Sequence, residues 1–389
     1  MAYDIAEATD FFHGQPYAMW ADEREKSPVL SIGMYGNDGG CQIIDWQHAE
    51  AVLRDAATFS SSINMQHIGQ FMGELIVGLD GEEHRTYRNL VAKAFRQSQL
   101  EKWDSTLVRP LIDQLVDAVA SEGRAELVAD ITSKYPVQVI CGIAGVPIED
   151  ADQFAQWAVE INTGPLDPAK GFAAKQAMTD YLQPLIDARR AEPTGDFLSD
   201  LVHTEVDGER LRDERLWGFL RLLLPAGAET TYRVLGNALF ALLSHPDVMT
   251  RVQADPSLIP AVVEETLRWE TSVTMVSRVA TRDTEVGGCP IHKGEPVGVA
   301  TGAANHDGTR FERPDQFDID RPPALHLAFG TGPHQCLGMH LARLELSAAL
   351  EVILARLPDL RFDPDDDGPA PLVEGLAFRG PNRLPVVFG

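Results

Sequence analysis

Apolar residues recur every three or four positions between about 49 and 269, a spacing that predicts a succession of α-helices. At 29–44 two short runs flank a turn at 36–40, which predicts a β-hairpin. Short strand-like runs return at 278–300 and 372–388. This order predicts a mainly α fold with small peripheral β-sheets.

No low-complexity linker and no internal repeat divides the chain. We therefore expect 1–389 to form one domain. The longest loop-like segments, at 60–78 and 163–170, lie within the helical part and carry the turn residues that interrupt the helical spacing.

The longest helical pattern runs from about 211 to 244 without a clear stop signal, which predicts a helix of about 50 Å. Pro225 lies inside it. Because proline lacks an N–H group and clashes with the preceding turn, we expect a local bend there. Ala226 and Gly227 follow and leave a stretch of helix surface almost without side-chain bulk.

An acid and an alcohol, Glu229 and Thr230, lie beside this bare stretch. A distorted helix with a bare patch beside such a pair is costly unless another molecule must approach it there. The pattern also fits a core helix in which the Thr230 hydroxyl bonds back to a main-chain carbonyl.

Composition excludes several classes of function. The chain has 33 lysines and arginines against 58 acids, a net charge of −25, which repels nucleic acid and anionic membranes. No apolar run approaches the roughly 20 residues of a membrane span, and the N-terminus lacks a basic, apolar leader. We expect a cytoplasmic protein without a membrane anchor. The segment 84–109 holds six of the cations and two acids, so it is either a docking surface for an acidic partner or a solvated helix face.

The four cysteines are far apart and form no CxxC pair, which favours reduced thiols over a disulfide framework. They are Cys41, Cys141, Cys289 and Cys336.

Cys336 lies in a glycine-rich loop directly before a strong helical pattern at 341–357. The helix dipole and the unpaired N–H groups of a helix start favour a thiolate there. Gly330 and Gly338 allow a large flat ligand to approach the backbone. This arrangement suits an axial thiolate ligand to haem iron. A buried structural cysteine and a zinc site with flanking histidines remain as alternatives.

The motif Phe329-x-x-Gly332-x-His334-x-Cys336-x-Gly338 resembles the haem-binding motif of the cytochrome P-450 monooxygenases, and 226–230 resembles the oxygen-binding segment of that family. The resemblance implies the cytochrome P-450 fold, with the long central helix over haem b (iron protoporphyrin IX). It implies that Thr230 bonds iron-bound dioxygen and that Glu229 relays protons.

The same resemblance assigns further residues. The pair Glu265-x-x-Arg268 and the downstream Arg321 match a structural network of the family rather than catalysts. Matching positions also supply the cofactor-binding set. These residues are His84, Arg88, Ala226, Gly227, Arg278, Phe329, Gly330, His334, Cys336 and Gly338, of which Cys336 is the metal ligand.

The chain contains no nicotinamide or flavin fingerprint and no cysteine cluster for an iron–sulfur centre. Electrons must then come from a partner, and the resemblance implies a ferredoxin with its ferredoxin reductase. We expect this partner to dock on the cysteine side, at positively charged or histidine positions. They are Lys93, Arg96, His340 and Arg343.

Apolar positions of the loop at 60–78 and of other segments that line the pocket in the family predict a small, neutral, lipophilic substrate, such as a terpenoid, aromatic or steroid-like molecule. These positions are Met65, Ile68, Phe71, Met72, Leu223, Val273, Met275 and Leu376. Two other functions remain open, a peroxide-driven peroxygenase and a haem-binding sensor or carrier without turnover. An intact acid–alcohol pair favours the monooxygenase.

Overall fold

The structure is a computed structural model that describes residues 16–31, 40–92, 95–162, 164, 167–206 and 208–389. Most of these residues are helical, as predicted. The α-helices are α1 Pro16–Arg24, α2 Trp46–Arg54, α3 Ile63–His67, α4 Gly69–Met72, α5 Gly81–Ala92, α6 Gln97–Trp103, α7 Arg109–Val119, α8 Tyr135–Ala144, α9 Ala151–Asn162, α10 Pro168–Ala191, α11 Phe197–His203, α12 Asp213–Ser244, α13 Pro246–Ala254, α14 Ile259–Trp269, α15 Thr301–Asn305 and α16 Met339–Arg356. Single π-helical turns lie at Asp104–Val108 and Val128–Thr132.

The strands are short and lie at the periphery, again as predicted. They are β1 Val29–Ser31, β2 Cys41–Ile43, β3 Phe59–Ser60, β4 Arg124–Glu126, β5 Glu205–Val206, β6 Glu209–Arg210, β7 Val276–Ala280, β8 Thr284–Val286, β9 Cys289–Ile291, β10 Pro296–Val299, β11 Arg361–Phe362, β12 Val373–Glu374, β13 Gly380–Pro381 and β14 Pro385–Val387. The largest sheet has the order β1-β2-β10-β7-β3. No helix among the described residues combines the length and the apolar character needed to cross a bilayer.

The predicted hairpin at 29–44 is confirmed in its strands, since β1 pairs antiparallel with β2 and Val29 lies opposite Ile43. The predicted turn at 36–40 lies outside the described residues except for Gly40. The prediction of four reduced thiols is wrong for two of them, because Cys41 and Cys289 form a disulfide. The two residues are 248 positions apart, and only the packing of the β8–β9 hairpin against the large sheet brings them together.

The central helix α12 spans 32 residues, or about 48 Å, and Pro225 lies inside it as predicted. It packs against α8, α9, α14 and α16 in the main hydrophobic core. Gly218 marks a close crossing, because a Cβ atom there would lie 2.3 Å from the carbonyl oxygen of Glu74. The segment before α5 is thereby held against the first half of the central helix.

The predicted loop at 60–78 is largely structured. Two short helices, α3 and α4, and a 3₁₀ turn at Ile76–Gly78 occupy it. Phe71 and Met72 are completely or almost completely buried in the main core. The turn residues interrupt the helical spacing, but burial of these apolar side chains stabilises short helices that the spacing alone does not indicate.

Two buried ion-pair clusters lie around the C-terminal half of α14. The first brings together the predicted set, with Arg268 Nη2 at 2.7 Å from Oε1 of Glu265 and Arg321 Nε at 3.2 Å from Oε2. Arg268 also donates to the carbonyl oxygen of Asn305, at the end of α15. The second cluster, centred on Glu270 and Arg379, carries no signal in the sequence.

Candidate active site

The central helix and the cysteine loop enclose one large cavity of about 430 Å³, a volume within the usual range for small-molecule sites. The central helix supplies one wall, with Leu223, Ala226, Gly227 and Thr230. The loop at 327–338 supplies the opposite wall, and most of the remaining lining is apolar.

Cys336 contacts the cavity near the end of the loop, three residues before α16 begins at Met339. Its N–H donates to the carbonyl oxygen of Phe329 at 2.8 Å, which closes the loop on itself. Gly330 and Gly332 have φ values of 61° and 74°, conformations that L side chains rarely adopt. The glycines therefore permit the turn that points the cysteine at the cavity.

The pKa of the Cys336 thiol does not follow the expectation from the sequence, which was a thiolate favoured by the helix start. Burial raises the pKa of Cys336 above its ordinary value, although the N–H of Gly338 and the cations Arg88 and Arg343 act in the opposite direction. Desolvation of the thiolate outweighs the loop and helix-start effects that the sequence suggested. A bound metal cation reverses this balance, since coordination deprotonates a thiol.

The zinc alternative does not fit the surroundings of Cys336. His334 directs Nε2 to the Asp80 carboxylate at 3.1 Å, and His340 is exposed on α16. The described part of the chain contains no group of three histidine, cysteine, aspartate or glutamate side chains arranged to hold a metal ion.

Four predicted cofactor contacts, His84, Arg88, Arg278 and His334, meet along one edge of the cavity. The rings of His84 and His334 lie 4.1 Å apart. Burial, followed by the charges of His334 and Arg88, lowers the pKa of His84 to about 4. Burial also lowers the pKa of Arg278, and the nearby Asp80 carboxylate partly opposes this shift. This excess of nitrogen donors favours an anionic group at that edge.

Of the acid–alcohol pair on the central helix, Thr230 lines the cavity and Glu229 does not, and both side chains have partners. Thr230 lines the cavity, and its hydroxyl donates to the carbonyl oxygen of Ala226 at 2.8 Å. The Glu229 carboxylate contacts Arg233, one turn further along, at 3.2 Å. Thr230 therefore shows the carbonyl bond that the sequence left open, in a position that also faces the cavity.

Gly227 has a physical role that the sequence did not suggest. A Cβ atom there would lie 2.8 Å from the side chain of Ile140 on α8. The absence of a side chain at 227 therefore allows α8 to cross close to the central helix, as well as leaving the cavity wall bare.

Of the predicted substrate contacts, Leu223 and Val273 line the cavity. The other six do not, and the structure corrects their placement: Met65, Ile68, Phe71, Met72, Met275 and Leu376 pack against the hydrophobic cores instead. In the loop at 60–78 the wall is formed by Ile76 and Val77, because the helices α3 and α4 turn the preceding apolar residues inward.

Sequence reasoning missed three aromatic wall residues, Phe95, Phe197 and Phe219, and one acid, Glu345. Glu345 is buried on α16, and no described residue forms a hydrogen bond to its Oε2. Burial raises the pKa of Glu345 well above the ordinary glutamate value. The sequence did contain a signal for this residue, because Glu345 occupies a core position on an otherwise apolar face of the predicted helix.

The positions predicted to dock the electron donor differ in exposure and in whether their side chains already form ion pairs. Arg96 and His340 are exposed, whereas Arg343 is held by the Glu264 carboxylate through Nε at 2.5 Å and Nη2 at 3.0 Å. Lys93 lies outside the described residues.

Comparison with known proteins agrees with this geometry. Residues 167–381 match the model of the cytochrome P-450 family. A steroid C26-monooxygenase of Mycobacterium tuberculosis (strain CDC 1551 / Oshkosh) is 39% identical over 324 residues, which cover 81% of this chain and 86% of the relative. The mycinamicin IV hydroxylase/epoxidase of Micromonospora griseorubida is 38% identical over 97% of this chain and 96% of its own length.

Among solved structures, cytochrome CYP109Q5 from Chondromyces apiculatus superposes with a TM-score of 0.89 at 33% identity, over 100% of this chain and 98% of that one. The helical architecture with small sheets is therefore shared along the whole length. The family match, the relatives and the cavity between a cysteine loop and a long central helix lead to one conclusion: the chain belongs to the cytochrome P-450 family and is a monooxygenase of the bacterial type.

Proposed function

We propose that the chain, acting as one domain, binds haem b with Cys336 as the iron ligand and hydroxylates a small lipophilic molecule. The observation that carries the proposal is the placement of Cys336 in a mostly apolar cavity opposite Thr230. The overall reaction consumes the substrate, O2, two electrons and two protons, and yields the hydroxylated product and water.

The residues present fit a haem group. A Cβ atom at Gly330 or Gly338 would meet nothing within 4 Å, so the loop leaves a flat face toward the cavity. The edge formed by Arg88, Arg278 and His334 suits two carboxylates, because paired anions reduce the cost of burying those cations. When bound, the haem supplies dioxygen binding and electron transfer at iron.

Thr230 and Glu229 would manage protons at the cavity wall. The Thr230 hydroxyl accepts hydrogen bonds while it donates to Ala226, and rotation about its side chain redirects its proton into the cavity. Glu229 connects the wall to the partly exposed Arg233, which gives it a path to solvent. In this proposal Thr230 donates the proton, and its resupply through Glu229 requires release of the ion pair with Arg233.

A neutral, mainly hydrocarbon substrate suits the lining. Leu223, Phe219 and Val273 contribute apolar surface around Thr230. Burial of such surface is worth roughly 25 cal/mol per Å², whereas an unpaired substrate charge would be desolvated there at high cost. Of the expected terpenoid, aromatic and steroid-like molecules, the steroid C26-monooxygenase relative supports a steroid-like substrate.

Electrons would come from a ferredoxin and its reductase in the cytoplasm. Arg96 and His340 are exposed and suit an acidic protein surface, together with Lys93. Arg343 is engaged by Glu264, so we expect it to contribute less to docking. Reversal of charge at Arg96 should slow reduction by ferredoxin more than the same change at Arg343, and equal effects would contradict this placement.

The decisive experiment is the carbon monoxide difference spectrum of the reduced protein. Wild-type protein should give the strongly red-shifted Soret band of thiolate-ligated haem, and Cys336→Ala should lose it. Cys141→Ala is the matched control, because Cys141 is buried in α8 and does not line the cavity. A band that persists in Cys336→Ala would overturn the ligand assignment.

Comparison of turnover driven by NADH and ferredoxin with turnover driven by peroxide then tests the reaction class. A haem sensor would show neither, and a peroxygenase would depend on peroxide and tolerate Thr230→Ala.

A further inference from the structure

A second pocket adjoins the main cavity and shares one wall residue with it. This outer pocket has a volume of about 260 Å³ and lies between residues 99–107, residues 142–143 and residues 194–200. Among the described residues, Phe197 alone lines both the outer pocket and the main cavity. Phe197 therefore lies between the two spaces.

The two sides of that ring differ in chemistry. On the outer side, Lys102, Thr106 and Asp200 are exposed and line the pocket, so it opens to water. On the inner side, apolar residues such as Ile140 dominate. A polar pocket thus adjoins the apolar cavity, and Phe197 lies at the boundary.

The backbone beside the ring is held by hydrogen bonds, while the ring itself can turn about the Cα–Cβ and Cβ–Cγ bonds. Phe197 is the first residue of α11, and Asp196 caps that helix by accepting from the N–H of Ser199 at 2.7 Å. Arg189 holds the same carboxylate through Nε at 3.1 Å. Rotation about these bonds would move the ring without unfolding the helix start.

We propose that Phe197 is a gate and that the outer pocket is the solvent end of a second passage to the main cavity. The passage suits water, dioxygen and other small uncharged molecules. A water molecule takes about 30 Å³, so the outer pocket holds several such molecules. Ions are disfavoured because the apolar inner side would have to desolvate them.

The proposal rests on the proposed function in one respect, since haem iron in the main cavity is the target that such molecules reach. Carbon monoxide is the probe, and its bimolecular rebinding to ferrous haem after flash photolysis is the measurement. Phe197→Ala should speed rebinding by about tenfold, a factor that corresponds to a barrier lower by 1.4 kcal/mol. Phe197→Leu should have a smaller effect in the same direction, and Phe197→Trp should slow rebinding.

Two further variants separate a passage from a larger cavity. Phe219→Ala also removes a phenyl ring from the main cavity wall, but Phe219 does not line the outer pocket, so this variant should accelerate rebinding much less than Phe197→Ala. Thr106→Trp fills the outer pocket from an exposed position and should cancel the acceleration by Phe197→Ala in the double variant.

Equal rates in wild type, Phe197→Ala and Phe197→Leu would overturn the proposal, and so would equal acceleration by Phe219→Ala. These rates are measurable with any ferrous haem in the cavity, whatever its ligand. The position of the carbon monoxide band tests Cys336 separately, so failure of the passage and failure of the haem-thiolate assignment remain distinguishable.

Discussion

Removal of the Arg379 side chain should destabilise the protein more than removal of any exposed arginine. Arg379 is completely buried and Glu270 is 5% exposed. The guanidinium donates from Nε to Oε1 of Glu270 at 2.6 Å and from Nη2 to Oε2 at 3.2 Å. It also donates to the carbonyl oxygen of Gly375 at 2.9 Å, and Tyr17 donates to Oε1 of Glu270 at 2.7 Å.

The magnitude follows from what Arg379→Ala leaves behind. Glu270 becomes a buried carboxylate without its cation, which typically costs 3–5 kcal/mol, roughly. The lost bond to Gly375 adds about 1 kcal/mol. We therefore expect Arg379→Ala to lower the free energy of unfolding by about 4–6 kcal/mol.

Urea unfolding followed by tryptophan fluorescence measures this change. Arg251→Ala is the matched control, because Arg251 forms a bidentate pair with Asp320 in which both side chains are about half exposed. Such pairs contribute about 0–1 kcal/mol. Replacing both buried partners, as in Glu270→Leu with Arg379→Met, should recover much of the loss, since no buried charge remains. A loss in Arg379→Ala no larger than in Arg251→Ala would refute the reasoning.

Three other predictions concern the cavity. Because burial raises the pKa of Glu345, its contribution to stability is present in acid and is lost as pH rises toward the folded-state pKa. Glu345→Gln should flatten this dependence in unfolding curves from about pH 5 to about pH 8, and an unchanged slope would contradict it. Thr230→Ala should increase the peroxide released per NADH consumed, whereas Thr230→Ser should not. Equal peroxide release by the two variants would show that the hydroxyl does not deliver protons. Gly227→Ala should lower the free energy of unfolding by about 1–3 kcal/mol, because the added methyl group overpacks against Ile140. Adding Ile140→Val should recover part of this loss in the double variant. Additive losses of the two substitutions would argue against the contact.

Local sequence was sufficient wherever the chemistry depends on neighbours in the chain. The loop around Cys336 combines glycines, a cysteine and a helix start within a few residues, and the structure places the thiol at the cavity. The central helix was predicted at 211–244 and is found at Asp213–Ser244. Regular apolar spacing over that length is typical of an α-helix and of no other regular structure. The pairing of Glu265 with Arg268 follows from their spacing of three on one helix.

Tertiary structure alone decided which distant side chains meet. Phe71 and Met72 have the composition of a pocket wall, but packing turns them into the core and leaves Ile76 and Val77 at the cavity. Arg379 contacts Glu270, which is 109 residues away in the sequence, and Cys41 pairs with Cys289, which is 248 residues away. Sequence patterns report spacing along the chain and the polarity of each position. They do not report which face meets which, because that choice is made by close packing of the whole interior.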